Sequence, residues 1–69
     1  MSVHKVIEVL AQSDTGWEDA ARKAVREASE TVKGIKAVYV EHMQGVVENG
    51  EITAYRINVK ITFAVETNR

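Results

Sequence analysis

The sequence predicts an α+β fold in which one helix packs on a three-stranded antiparallel sheet, in the chain order strand, helix, strand, strand. Three features lead to this prediction. They are a short β-branched segment at 4–10, an amphipathic segment that ends near residue 33, and two apolar segments joined by Asn49 and Gly50. With 69 residues the chain has room for one domain, which we expect over 1–69.

The first strand is predicted at 4–10 because its aliphatic residues are dense enough to point to both faces. The helix is predicted from Trp17 to about Lys33, with Gly34 as its stop. Thr15 and Glu18 have the spacing of a capping box at its start. Its apolar stripe is mostly alanine, which would let the helix lie close to the sheet: Trp17, Ala20, Ala21, Ala24, Val25, Ala28, Val32 and Ile35.

The second and third strands are predicted at 37–47 and 51–65. Asn49 and Gly50 between them predict a two-residue type I′ turn, because both residues tolerate positive φ. This turn fixes a register of five pairs: Val40 with Val59, Val38 with Ile61, Tyr39 with Lys60, Glu41 with Asn58, and Met43 with Arg56. The helix makes strands one and two parallel, so an antiparallel sheet needs the order 1-3-2.

The two faces of this sheet differ in character. The third strand alternates between apolar residues that would face the helix and polar residues that would face outward. We expect His42 on the helix side, near the turn. The outward face is expected to carry Ala37, Tyr39, Glu41, Met43, Arg56, Asn58 and Lys60. One helix leaves this face and the strand edges uncovered, and an oligomer would cover both.

The composition also favours association. A domain this small is marginally stable alone, and the chain has no cysteine for disulfides or thiolate metal sites. Nine Lys and Arg against ten Asp and Glu give no basic excess for nucleic acid, and no apolar run reaches membrane-spanning length. We therefore expect a soluble cytoplasmic homo-oligomer without nucleic-acid or membrane partners.

No pattern in the sequence indicates an enzyme. There is no nucleophile elbow, no glycine-rich phosphate loop and no metal-ligand spacing. His4 and His42 are far apart in sequence, and a lone strand histidine is more often packed than catalytic. Glu8 and Glu41 are interpreted as solvated or interface carboxylates, with a ligand role as the alternative.

Three segments carry a resemblance to a known family. They are Val6-Ile7-Glu8-Val9 followed by Ser13 and Gly16, the stretch 35–45, and the strand 55–63. Together, in order and spacing, they resemble the dodecins over nearly the whole chain. The resemblance implies a βαββ subunit, a hollow homododecamer, and a binding protein for small ligands, in many members flavins such as FMN and riboflavin.

In flavin-binding dodecins a strand-two tryptophan stacks on the flavin and a strand-three glutamine hydrogen-bonds it. The matching positions here are Ala37 and Arg56, so both determinants are missing. Tyr39 and Asn58 share the predicted outward face with them, and these four are the candidate cofactor-binding residues. Arg56 and Lys60 would favour an anionic ligand such as a phosphate.

Trp17 and the segment 55–57 look more like the divergent branch of dodecins described as calcium-binding. The resemblance identifies no metal ligands in this chain. Calcium takes about six to eight oxygens, so a site would need several subunits. The oxygen donors available to it are Glu8, Asp14, Glu41, Glu48 and Asn58. Three hypotheses stay open: a flavin-type ligand store, a divalent-cation shell, and an assembly without a dedicated ligand.

Overall fold

The computed structural model describes residues 3–65, which form the four predicted elements in the predicted order. These elements are β1 (Val3–Ser13), α1 (Trp17–Ala28), β2 (Ile35–Glu48) and β3 (Glu51–Val65). The sheet order is β1-β3-β2 and both pairings are antiparallel, which confirms the topology. Over these residues no helix is both long enough and apolar enough to span a bilayer.

The two ends of α1 differ from the prediction. No side chain caps its start, where Gly16 is the N-cap residue, so the expected capping box of Thr15 and Glu18 is wrong. The buried hydroxyl of Ser13 takes over instead, accepting from the Thr15 amide at 2.9 Å and donating to Asp19 Oδ2 at 2.6 Å. The helix ends at Ala28 rather than near residue 33, and 29–34 form the connection to β2.

The core lies between α1 and the middle of β3. Ala20 and Ala24 are buried against Ile57, Val59 and Ile61. Because the helix presents alanines, it sits close to the sheet, and it packs mainly over β1 and β3. The helix-side face of β2 is left partly open, and its apolar side chains remain exposed there: Val38, Val40 and Met43.

The hairpin turn is as predicted. Asn49 has φ 52° and Gly50 has φ 77°, and both positive values are those of a type I′ turn. In the half of the hairpin away from the turn, the predicted register also agrees with the structure, because Val38 pairs with Ile61. The same holds for the pairing of Tyr39 with Lys60 and of Val40 with Val59. The turn therefore sets the faces of most of the hairpin.

Between these points the predicted register is wrong by one residue. Thr53 is an extra residue in β3 and Glu41 is an extra residue in β2, so the two bulges cancel over the pairs from Val40–Val59 to Ala37–Thr62; a third irregularity follows at Lys36, before Ile35 pairs with Phe63. The predicted pairs of Glu41 with Asn58 and Met43 with Arg56 do not form. His42 pairs with Asn58 on the outward face instead, and Met43 pairs with Ile57 on the helix side. The two residues have exchanged their predicted faces.

The hairpin is longer than the sheet that supports it. β1 pairs with β3 only from Tyr55 to Val65, where Ser13 and Val3 are the partners. Residues 46–54 therefore extend beyond β1 as a two-stranded tip. The described residues form an elongated body with principal extents of 57 × 19 × 13 Å.

Candidate functional site

The face of the sheet away from the helix carries all four candidate ligand-binding residues. Arg56 and Asn58 alternate with the buried Ile57 and Val59, which face α1. Ala37 and Tyr39 pair with Thr62 and Lys60 on the same outward face. The sequence prediction that these four side chains share a face agrees with the register.

Sharing a face does not bring the four residues onto one small ligand. Ala37 lies opposite Thr62, whereas Arg56 lies six residues away along the same strand. At about 3.3 Å per strand residue, this separation is about 20 Å. A flavin-sized molecule bound to a single subunit therefore cannot touch both positions. A ligand that touches both would have to lie between two subunits.

Arg56 lies in a row of polar side chains that runs across all three strands. Its Nε donates a hydrogen bond to Gln12 Oε1 at 2.9 Å, and Gln44 pairs with it from the other side. This row offers guanidinium and amide donors to an anion or to a heterocyclic edge. Neither glutamine is among the residues predicted from the sequence, although the pairing of β1 with β3 indicates Gln12.

The fit to a stacked flavin is incomplete at the other end of the face. Ala37 offers no ring. The nearest aromatic along β2 on this face is Tyr39, two residues away, and this residue is 64% exposed. It pairs with Lys60, so an exposed aromatic surface and a cation lie side by side. These two side chains suit a flat anionic ligand better than Ala37 does.

Carboxylates flank Lys60 on the outward face. Glu8 pairs with it from β1, and Glu41 Oε2 lies 3.6 Å from its Nζ. The second carboxylate oxygen of Glu41 is buried and has no hydrogen-bond partner among the described residues. Because of the bulge, the neighbouring His42 lies on this face as well, opposite Asn58. This is the part of the face with the most metal-ligand chemistry.

Within residues 3–65 of a single chain, no three or more His, Cys, Asp or Glu residues come together. Calcium needs about six to eight oxygens. Glu41 therefore fits a calcium site only as one subunit's contribution to it. The positive charge of Lys60 opposes a cation there unless other carboxylates outweigh it.

A second concave surface lies on the opposite side of the sheet, between α1 and β2. Trp17 closes one end of this surface, and its Nε1 donates a hydrogen bond to the Gln44 carbonyl at 3.1 Å. Its ring packs edge-to-face against the ring of Tyr55, and the two ring centroids are 4.8 Å apart. Glu18 and Arg22 form an ion pair at 2.5 Å on its helix rim. This hydrogen bond raises the pKa of the Arg22 guanidinium.

Known proteins match this chain over nearly its whole length. A family model described as Dodecin matches residues 3–66. The calcium dodecin of Mycobacterium tuberculosis is 36% identical over 63 residues, which are 91% of this chain and 89% of that protein. Its crystal structure, whose name describes a calcium-chelating antigen, superimposes with a TM-score of 0.81 at 32% identity, over 99% and 97% of the two chains.

Two further dodecin structures superimpose still more closely at lower sequence identity. The dodecin of Streptomyces coelicolor gives a TM-score of 0.91 at 28% identity, over 97% of this chain and 96% of that one. A variant of the T. thermophilus dodecin gives 0.92 at 24% identity, over 99% and 100%. The latter likeness is one of fold. The βαββ subunit predicted from the sequence is thus the fold of these proteins.

Proposed function

The chain belongs to the dodecin family, and we propose on this basis that it is a non-catalytic homo-oligomer that binds and stores a small ligand in the cytoplasm. The observation that carries the proposal is the outward face of the sheet. It presents a row of hydrogen-bonding side chains centred on Arg56, an exposed ring at Tyr39, and no helix to cover them. Such a face binds a ligand when a second subunit closes it.

The first ligand class is a flat, anionic metabolite of the flavin type, FMN before riboflavin. Arg56 would bind the phosphate, since a guanidinium forms paired, charge-assisted hydrogen bonds with phosphate oxygens. Lys60 would add a second positive charge. The loss of a tryptophan at Ala37 removes a stacking contact of about 1–3 kcal/mol. The proposed affinity for the ring system alone is therefore low, and the phosphate should matter more.

Parallel titrations with riboflavin and FMN test this class, with quenching of flavin fluorescence as the measurement. We expect FMN to bind more tightly than riboflavin, and Arg56→Gln to reduce the difference. Lys5→Gln is the matched control, because Lys5 pairs with Phe63 near the end of the sheet, far from Arg56 along β3. Equal binding of the two flavins by the unmodified protein would contradict a phosphate role for Arg56.

The alternative ligand is calcium. Two observations favour it. The chain is 36% identical to a calcium dodecin over 63 residues, and a buried carboxylate oxygen of Glu41 has no hydrogen-bond partner among the described residues. Here several subunits would contribute carboxylates to one ion. Glu41 would be this chain's contribution, and its ion pair with Lys60 would weaken when the metal binds.

Calcium titration followed by calorimetry tests the alternative, together with metal analysis of the freshly purified protein. Glu41→Gln keeps the shape of the side chain but removes its charge, so we expect it to lower calcium affinity at least about tenfold. Glu30→Gln, at an exposed position beyond α1, is the matched control. Unchanged affinity in Glu41→Gln, with tight binding by the parent, would exclude Glu41 as a ligand.

Self-association is part of the same proposal, and twelve subunits is the number implied by the family. Large apolar side chains are exposed on both faces of the sheet, including Leu10 at 60% and Met43 at 61%. Burying them would add the core that a chain of this length lacks. Light scattering at micromolar concentration should give about twelve times the monomer mass. A stable folded monomer would contradict the proposal.

A further inference from the structure

The two-stranded tip of the β2–β3 hairpin combines two features that are unfavourable in water. Val47 and Ile52 are a directly opposed pair, and they stay 61% and 51% exposed. Glu48 and Glu51 are the next pair, on the opposite face of the hairpin, where two like charges lie side by side and repel. An isolated two-stranded hairpin is itself barely stable. An apolar surface would bury Val47 and Ile52, and a cation on a rim beside it would offset the repulsion between the two glutamates.

The groove between α1 and β2 has that composition. Its floor is formed by exposed or half-buried apolar residues: Ala21, Val25, Val38, Val40 and Met43. Arg22 and Arg26 lie on its helix rim. Arg22 is already paired with Glu18, whereas Arg26 makes no ion pair within residues 3–65. The groove thus offers an apolar floor and one cation without a carboxylate.

A tip cannot reach the groove of its own subunit. Val47 lies four residues along β2 from Met43, at the near end of the floor, and nine residues from Val38, at the far end. At about 3.3 Å per residue, these separations are about 13 Å and about 30 Å of continuous strand. The strand would have to break and reverse to bring the two together. The occupant of the groove must therefore come from a second copy of the chain.

We propose that the hairpin tip of one subunit docks into the α1–β2 groove of another, with Val47 and Ile52 on the apolar floor and with the long side chain of Arg26, on the helix rim, reaching Glu51 on the opposite face of the tip. The contact joins two different surfaces, so each subunit uses its tip on one neighbour and its groove on the next. Such head-to-tail contacts close into rings when the rotation permits. The inference rests on the self-association proposed above and adds the residues that make it.

Charge reversal and rescue test this docking. Glu51→Lys and Arg26→Glu each replace the attraction with a repulsion at every copy of the contact, so each should lower the apparent association constant at least about tenfold. The double variant Glu51→Lys/Arg26→Glu restores opposite charges and should recover most of the loss. Sedimentation velocity in increasing guanidinium measures the dissociation, and circular dichroism reports the folding of each variant.

Glu27→Lys is the matched control, because Glu27 borders β1 on the other side of the helix. We expect its association constant to stay within about twofold of the parent. Recovery in the double variant supports the docking even if either single variant fails to assemble or fold. The docking is overturned by single variants that associate like the parent, or by a double variant no better than the weaker single. A monomeric parent would instead overturn the self-association itself.

Discussion

Replacing the buried Ser13 by alanine should destabilise the protein far more than replacing an exposed serine would. The side chain is 3% exposed, so water cannot take over its hydrogen bonds. Its hydroxyl donates to the Asp19 carboxylate at 2.6 Å and accepts from the Thr15 amide at 2.9 Å. The hydroxyl thereby ties the end of β1 to the first turn of α1.

The magnitude follows from these two contacts. A hydrogen bond to a charged group contributes about 1.5–3 kcal/mol, whereas the lost bond from the Thr15 amide costs about 1 kcal/mol or less, because that residue is exposed. Water rehydrates this amide, so the bond to the Asp19 carboxylate accounts for most of the loss. We expect Ser13→Ala to lower the free energy of unfolding by about 2–3 kcal/mol. A cycle with Asp19→Ala should show a coupling of at least about 1 kcal/mol.

Denaturation in guanidinium, at one fixed protein concentration because the protein is expected to self-associate, measures this loss. Ser29→Ala is the matched control. Its hydroxyl also makes a hydrogen bond, to the Arg26 carbonyl at 2.8 Å, but the residue is exposed. We expect this control to cost less than about 0.5 kcal/mol. If both variants lose the same stability, the reasoning from the burial of Ser13 is wrong.

Three further variants test other parts of the structure. Gly50→Val should cost about 1–3 kcal/mol because φ is +77° there, and Gly50→Asn, which tolerates that angle, should cost clearly less; equal melting temperatures would argue against the type I′ turn. Val59→Ala should cost about 2 kcal/mol, because the side chain is fully buried under α1; urea denaturation measures this loss, and a near-zero value would mean that the helix collapses onto the gap. Ala37→Trp should raise riboflavin affinity in fluorescence titrations, and Ala37→Trp with Arg56→Gln should raise it further; tight binding by the parent would show that other residues hold the ring.

The topology was predictable because local signals carried it. Asn49 and Gly50 permit few connections other than a tight hairpin, and the strict alternation in β3 then assigns its faces. The alanines of α1 predicted a helix close to the sheet, and Ala20 and Ala24 are buried there. Each of these features depends on neighbouring residues and needs no knowledge of distant contacts.

The bulges and the start of the helix were not predictable in this way. Nothing in the composition around Glu41 or Thr53 marks an extra residue, and the pairs from Val40–Val59 to Ala37–Thr62, beyond both bulges, match the simple register. Ser13 displaced the capping box because it is buried beside Asp19, six residues away, and that is a tertiary contact. Chain spacing favoured Thr15, which lies nearer the helix but is exposed.

For the candidate site, the sequence predicts the face but not the arrangement of its residues. The register places Ala37 and Arg56 on the outward side, yet their separation along β3 makes a shared ligand a matter of how subunits meet. That arrangement depends on surfaces such as the exposed helix-side residues of β2, which the proposed docking would cover with another chain. A single sequence contains both surfaces without stating which ones join.

The paired bulges also determine where the hairpin can lose a residue over evolutionary time. Deleting one residue from a regular strand turns every side chain beyond the gap to the opposite face. Thr53 and Glu41 are surplus to the ladder, so a deletion at either position leaves all the observed pairs available. Such a deletion would straighten the strand and reduce its local twist. A relative whose hairpin is one residue shorter should therefore carry the gap at one of these bulges or at the irregularity at Lys36, and not within the regular segments between them.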